Sequence, residues 1–376
     1  MHPPRPRSAP NRGRRRLRPP PRRRGGRRAS SEPRTYCAAV EGIYVRHPSS
    51  FEHDTGGHPE NARRLVAIEE AMAERDWLDL ELVEAPAAGR EQLLRVHDER
   101  HLVSIEELTR RGGGLIDLDT VASAGSWEAA LHAAGGAVHA TERVLADGGF
   151  AFCGLRPPGH HAERNRAMGF CLFNNVAVAA AHALAEGGVE RVLVLDWDVH
   201  HGNGTETIFY GSPWVLYSSI HQSPLYPGTG AATDFGDGDG EGYTINLPVP
   251  PGAGADEFLS LVQTVVAPIA REWRPGLICI SAGFDAHRDD PLANCELDDA
   301  AYWEMAAAIR VLAIELGAPV LICLEGGYAL GALSRSVVAT LDAFRGDGDP
   351  REAPTAPAAG YCDRLARLWP VLSGSA

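Results

Sequence analysis

From Tyr44 onward, short apolar runs rich in β-branched residues alternate with Ala-rich stretches of helical period, and that alternation dictates a parallel sheet covered by helices. Strands buried on both faces read as continuous apolar runs, because no side chain needs to face water. The expected core strands are Phe150–Leu155, Arg191–Asp196, Trp214–Ser219, Leu277–Ser281 and Val320–Leu324. Helices are expected near Asn61–Ala73, Trp127–Ala146, Asn174–Glu186, Ala255–Trp273, Asp298–Leu316 and Leu330–Phe344. In such a sheet, ligands collect beyond the carboxyl ends of the strands. The unusual polar clusters of this sequence all follow an expected strand.

Composition narrows the class. Hydrophobic residues make up 44% and charged residues 23%, ordinary for a globular protein, and no apolar run approaches the roughly 20 residues that span a bilayer. Residues 1–35 are Arg, Pro, Gly and Ser with no apolar segment to follow, so they are expected to form a disordered tail and not a signal peptide. The first 30 carry twelve Arg and no acid; setting those twelve charges aside from the net −13 leaves −25 for the remainder. An acidic body suits cationic substrates and disfavours nucleic acid, apart from weak contact through the basic tail. One catalytic domain is expected over 36–345, then a linker and a short helix over 346–376. All 36 basic residues are Arg, which with abundant Ala, Gly and Pro suits a GC-rich, bacterial genome. Seven scattered cysteines without a C-x-x-C pair suit a reducing, cytoplasmic compartment.

Four constellations carry the chemistry. In Val194-Leu-Asp-Trp-Asp-Val-His-His-Gly-Asn-Gly204, the period of a strand puts Asp196, Asp198 and His200 on one face. Carboxylates and an imidazole converging at a strand end repel one another unless a cation joins them. Ile280-Ser-Ala-Gly-Phe-Asp-Ala-His-Arg-Asp-Asp-Pro291 is a second strand running into acids, and Asp285 is the natural third ligand. Two carboxylates and one imidazole fit zinc with a position left open, although iron(II) or cobalt fits the same set. Arg156-Pro-Pro-Gly-His-His-Ala-Glu163 presents His160 and His161 in a rigid loop, a base and a second proton carrier whose pKa values can be driven apart. In Glu325-Gly-Gly-Tyr328, the glycines permit close backbone approach and offer the tyrosine hydroxyl to an oxyanion.

Together, and in this order, these motifs resemble the superfamily of histone deacetylases, acetoin utilisation proteins and acetylpolyamine amidohydrolases, over roughly Tyr44 to Phe344. The class II-like bacterial members are nearest, since Asn203 stands where class I enzymes have aspartate, and Glu52-His-Asp-Thr-Gly-Gly-His-Pro-Glu60 with Arg64 looks like their amino-terminal motif. The resemblance implies an arginase/deacetylase-like α/β fold with a single, mainly parallel sheet of about eight strands and helices on both faces. It implies Asp198, His200 and Asp285 as ligands of one Zn²⁺, His161 as general base and His160 as its electrostatic or acid partner. Asp196 would orient His160, Asn203 would orient His161, and Tyr328 would hydrogen-bond the substrate carbonyl. Gly169, Phe170 and Tyr226 would line a narrow substrate tunnel, with Phe170 and Tyr226 facing each other and Leu292 at its mouth. A structural K⁺ would use Asp196, Asp198 and His200 with Ser219 and Ile220, and a second monovalent site would lie near Phe209, Ser212, Val215 and Tyr243.

The resulting expectation is a zinc-dependent amidohydrolase acting on acetylated or short-acylated lysine or a related small acyl-amine. An acetylpolyamine amidohydrolase and an inactive acyl-lysine binding module are the alternatives. A binuclear manganese ureohydrolase is disfavoured because the sequence lacks a Gly-Gly-Asp-His motif. Oligomeric state is left open by the sequence, a homo-oligomer included.

Overall fold

The computed structural model describes residues 41–373. The expected tail over 1–35 lies outside them. Eight strands form one sheet: β1 Gly42–Arg46, β2 Glu81–Glu84, β5 Phe150–Cys153, β6 Val192–Asp196, β7 Val215–Gln222, β8 Thr244–Val249, β9 Leu277–Ala282 and β10 Val320–Leu324, with β3 Gly113–Leu115 and β4 Val121–Ser123 paired separately as a hairpin. The sheet order is β2-β1-β5-β10-β9-β6-β7-β8, and every pairing in it is parallel. This is the doubly covered α/β sheet that the alternation implies.

The five expected strands are buried at every position, and β6 shows why. Its Leu193 and Leu195 enter one apolar cluster, with the helices Arg63–Ala73, Asp299–Leu316 and Leu330–Arg345; its Val192 and Val194 enter the other, with Ser126–Asp147 and Asn175–Ala185. A strand between two such layers has no polar position until it leaves the sheet. The helix expected over Ala255–Trp273 is interrupted by a π-helical turn, Val262–Val266. Pro268 lies just beyond and has no N–H for a helical bond, and the carbonyl of Thr264 instead accepts from the Cys362 thiol at 3.7 Å. After Arg345 the chain returns along the body: the helix Ala359–Leu365 and the following turn bury Cys362, Leu365, Trp369 and Leu372 in the first cluster, and the Trp369 indole donates to the Gly242 carbonyl at 3.0 Å.

Four strands, β5, β10, β9 and β6, are consecutive in the centre of the sheet. Their carboxyl ends lead into His160–His161, Glu325–Tyr328, Asp285 and Asp198–His200, so topology alone gathers the four motifs at one edge.

Candidate active site

Asp198, His200 and Asp285 converge. His200 Nδ1 lies 3.1 Å from Asp198 Oδ1 and 3.1 Å from Asp285 Oδ2, and one ligand atom from each residue lies within 4.8 Å of the others. The remaining carboxylate oxygens are held by backbone: Gly326 N–H donates to Asp198 Oδ2 at 2.8 Å and Val199 N–H to Asp285 Oδ1 at 3.0 Å. Asp198 Oδ1 also accepts from the His200 N–H at 2.9 Å, which leaves it a lone pair to turn toward a cation beside Asp285 Oδ2, and all three residues are buried. Gly326 is glycine for a visible reason: a Cβ there would come 2.6 Å from Asp198 Oδ2 and closer still to Asp285 Oδ2. Two buried acids and an imidazole whose ligand atoms lie this close together fit a divalent metal ion.

The histidine pair adjoins this cluster. His160 Nδ1 meets Asp196 Oδ2 at 3.1 Å and its Nε2 lies 3.8 Å from Asp198 Oδ1. Burial opposes its charged form, but the carboxylates of Asp198, Asp196 and Glu325 outweigh that and hold its pKa well above the ordinary imidazole value. His161 is the opposite case: burial and the rings of His160 and His200 hold its pKa well below. Its Nδ1 is 2.8 Å from Asn203 Oδ1, and Asn203 Nδ2 donates onward to Glu163 Oε1 at 2.9 Å. Asp196 Oδ2 also accepts from the Tyr217 hydroxyl at 3.1 Å.

Tyr328 is gripped from two sides. Its N–H donates to Asp290 Oδ2 at 2.7 Å, while the Arg64 guanidinium lies 5.1 Å over its ring and donates to the carbonyls of Gly327, at 2.7 Å, and Glu325. Arg64 is held at 3.2 Å by Glu60, which also pairs with the fully buried Arg156. Burial, only partly offset by Arg64, pushes the Tyr328 phenol well above its ordinary pKa, so it stays protonated. Glu325 completes the frame: its Oε2 accepts from the backbone N–H groups of Gly159, at 2.6 Å, and His160, at 3.1 Å, and its Oε1 accepts from the Ser281 hydroxyl.

Around this centre, Phe170 stands edge-on to Tyr328 at 5.8 Å and to His58 at 4.4 Å, and Tyr226 stands edge-on to His161 at 5.2 Å and His200 at 6.3 Å. Both rings border the site, but among the described residues they make no ring contact with each other. Gly169 has φ +54°, and a Cβ there would press within 2.7 Å of the His161 ring. Leu292 is half-buried, its N–H donating to Asp290 Oδ1 at 3.0 Å. Ser219 and Ile220 are fully buried on β7, Ser219 in register with Asp196. The Ser212 N–H donates to the Phe209 carbonyl at 2.8 Å and the Tyr217 N–H to that of Tyr243 at 2.9 Å. The sequence assigns no role to Glu163, Asp290 or Glu325, although each sits inside one of its motifs.

The model of the histone deacetylase domain matches residues 58–344 of this chain, three quarters of its length. The chain belongs to the histone deacetylase family. A probable deacetylase of Methanothermobacter thermautotrophicus is 42% identical over 328 residues, covering 87% of this chain and 97% of that protein. The histone deacetylase-like amidohydrolase of Pseudomonas aeruginosa is 40% identical over 291 residues, covering 77% of this chain and 76% of that one. The crystal structure of the HDA15 HD domain superposes with a TM-score of 0.83 at 35% identity, covering 90% of this chain and 98% of that chain. This histone deacetylase family member therefore has the arginase-like α/β fold of its relatives and is a hydrolase acting on amide bonds. Among its described residues no helix is long and apolar enough to cross a membrane.

Proposed function

We propose that the protein is a zinc-dependent deacylase of acetyl-lysine or a related short acyl-amine. The observation that carries this reading is the triple convergence of Asp198, His200 and Asp285 beside a histidine whose outer nitrogen is free. Zinc held by these three side chains supplies Lewis acidity toward an amide carbonyl and toward water. Because both carboxylates temper that acidity, the protein's own groups must supply the rest.

His161, kept neutral and bonded through Nδ1, offers the Nε2 lone pair to the proton of an attacking water. His160, kept charged by Asp196 and Asp198, stabilises the negative charge that develops nearby, and a protonated histidine of the pair delivers a proton to the leaving amine. The Tyr328 hydroxyl, held by Asp290 and Arg64, donates to the oxygen of the tetrahedral intermediate. Phe170 and Tyr226 fit the methylenes of a lysine-like chain by aromatic contact. A structural K⁺ beside the site, at Ser219 and Ile220, belongs to the same reading, as does a cytoplasmic setting, which the six buried free thiols support.

Tyr328→Phe tests it. Metal content and fold should persist while kcat falls by about 10²–10³, the usual cost of one oxyanion donor. An unchanged kcat on an acetyl-lysine peptide would make the hydroxyl a bystander and the mechanism wrong.

A further inference from the structure

We infer that Glu163 is the positioning residue that decides where His161 carries its proton. The inference rests on His161 being the base. A neutral imidazole has one N–H, so only its other nitrogen can take a proton, and which one that is follows from the hydrogen bond at the far side of the ring. His161 Nδ1 faces Asn203 Oδ1 at 2.8 Å, which puts the hydrogen on Nδ1 and the lone pair on Nε2.

An asparagine amide, however, has nearly the same shape either way round. Turned over, Asn203 would present its NH₂ to Nδ1, drive the hydrogen to Nε2 and leave His161 unable to accept a proton from water. Something must choose between the two orientations. Glu163 does so because a carboxylate only accepts: its Oε1 lies 2.9 Å from Asn203 Nδ2, and no other orientation of the amide satisfies it. The Met168 sulfur, at 3.4 Å from the same nitrogen, is a weak acceptor and adds little.

Glu163 is itself well placed. Its N–H donates to the Arg166 carbonyl at 2.9 Å, closing a tight turn. Its carbonyl lies 3.0 Å from His97 Nδ1, which must be the donor, because His97 Nε2 accepts from the Asn174 N–H at 2.9 Å. The backbone of Glu163 is thus anchored from the protein interior while its side chain remains half-buried. Glu163 touches no reacting group and acts only through Asn203.

The test uses the zinc-loaded full chain and an acetyl-lysine peptide, with Glu163→Ala, Asn203→Asp, the double variant and His161→Ala. Glu163→Ala should lower kcat on the order of tenfold, the orientational bias that one hydrogen bond to a charged group sustains, with KM and metal content unchanged. Long-range ¹H–¹⁵N correlation should show His161 moving from the Nδ1–H toward the Nε2–H tautomer. An aspartate at 203 accepts through both oxygens and has no wrong way round, so in the Asn203→Asp background Glu163→Ala should cost less than about twofold. Wild-type kcat and tautomer in Glu163→Ala, with His161→Ala inactive, would overturn the inference alone, as would an equal loss in both backgrounds. Full activity in His161→Ala would instead overturn the reading of His161 as the base.

Discussion

Gly326→Ala adds one methyl group between the two carboxylates of the candidate metal site. Its Cβ would lie 2.6 Å from Asp198 Oδ2 and nearer to Asp285 Oδ2, whereas nonbonded heavy atoms settle at about 3.5 Å or more, so at least one carboxylate must retreat by about 1 Å. Metal sites tolerate about 0.2 Å. The backbone bond from Gly326 to Asp198 Oδ2, 2.8 Å long, would be strained by the same movement. Disturbing such a supporting contact lowers metal affinity by about 10- to 100-fold, or about 1.4–2.7 kcal/mol, and here the ligands themselves move, so the upper end is expected. Zinc affinity by chelator competition, thermal melting and acetyl-lysine turnover together give the answer. Gly331→Ala is the control, because its Cβ would meet only the flexible end of Arg335, at 3.3 Å. Wild-type zinc affinity and turnover in Gly326→Ala would refute the assignment of these carboxylates to the metal.

Two further predictions test the frame and the mouth of the site. Burial opposes ionisation of Glu60, yet Arg156 beside it holds its carboxyl well below the ordinary value of 4.5. The stability it contributes is therefore fully present above that value and is lost as pH falls through the lower, folded one. Glu60→Gln leaves two buried guanidinium groups short of a counter-charge and should cost about 3–5 kcal/mol at pH 7, with a flatter acid limb in a plot of Tm against pH; an unaltered Tm at pH 7 would contradict the pairing. At the mouth, Leu292 cannot pair with a distant ammonium, and the exposed acids of the body act through screened fields that discriminate little. Acetyl-lysine peptides should be turned over better than acetylspermidine, and Leu292→Glu should narrow or reverse that gap; a wild-type kcat/KM well above the peptide value for acetylspermidine would refute this.

The central strands were legible because burial on both faces leaves no polar interruption in them, and the motifs were legible because each marks the point where such a strand leaves the sheet. The two edge strands lack that signal, and β1 carries it only over the short run Gly42–Val45. In β2, Glu81, Leu82 and Glu84 are exposed at the sheet edge, and β8, at the other edge, contains Pro248, which argues against a strand wherever a ladder bond is needed. Short β1 pairs with β2 and β5 through only four residues each. Within the site, side chains that face the reaction were legible from residue type and spacing. Those acting through backbone, such as Asp290 on Tyr328 and Glu325 on the His160 loop, were not, because a carboxylate accepting backbone N–H groups leaves no periodic trace. Glu163 illustrates the intermediate case: it and Asn203 were each visible in a motif, but their pairing across 40 residues was not.

The most direct measurement is metal content paired with acetate release from an acetyl-lysine peptide, for the wild type and for Asp285→Ala, which removes one of the three converging side chains and leaves its neighbours in place. The account predicts one zinc per chain and steady turnover in the wild type, both lost in Asp285→Ala at an intact fold. Full zinc occupancy or wild-type acetate release in Asp285→Ala would contradict it.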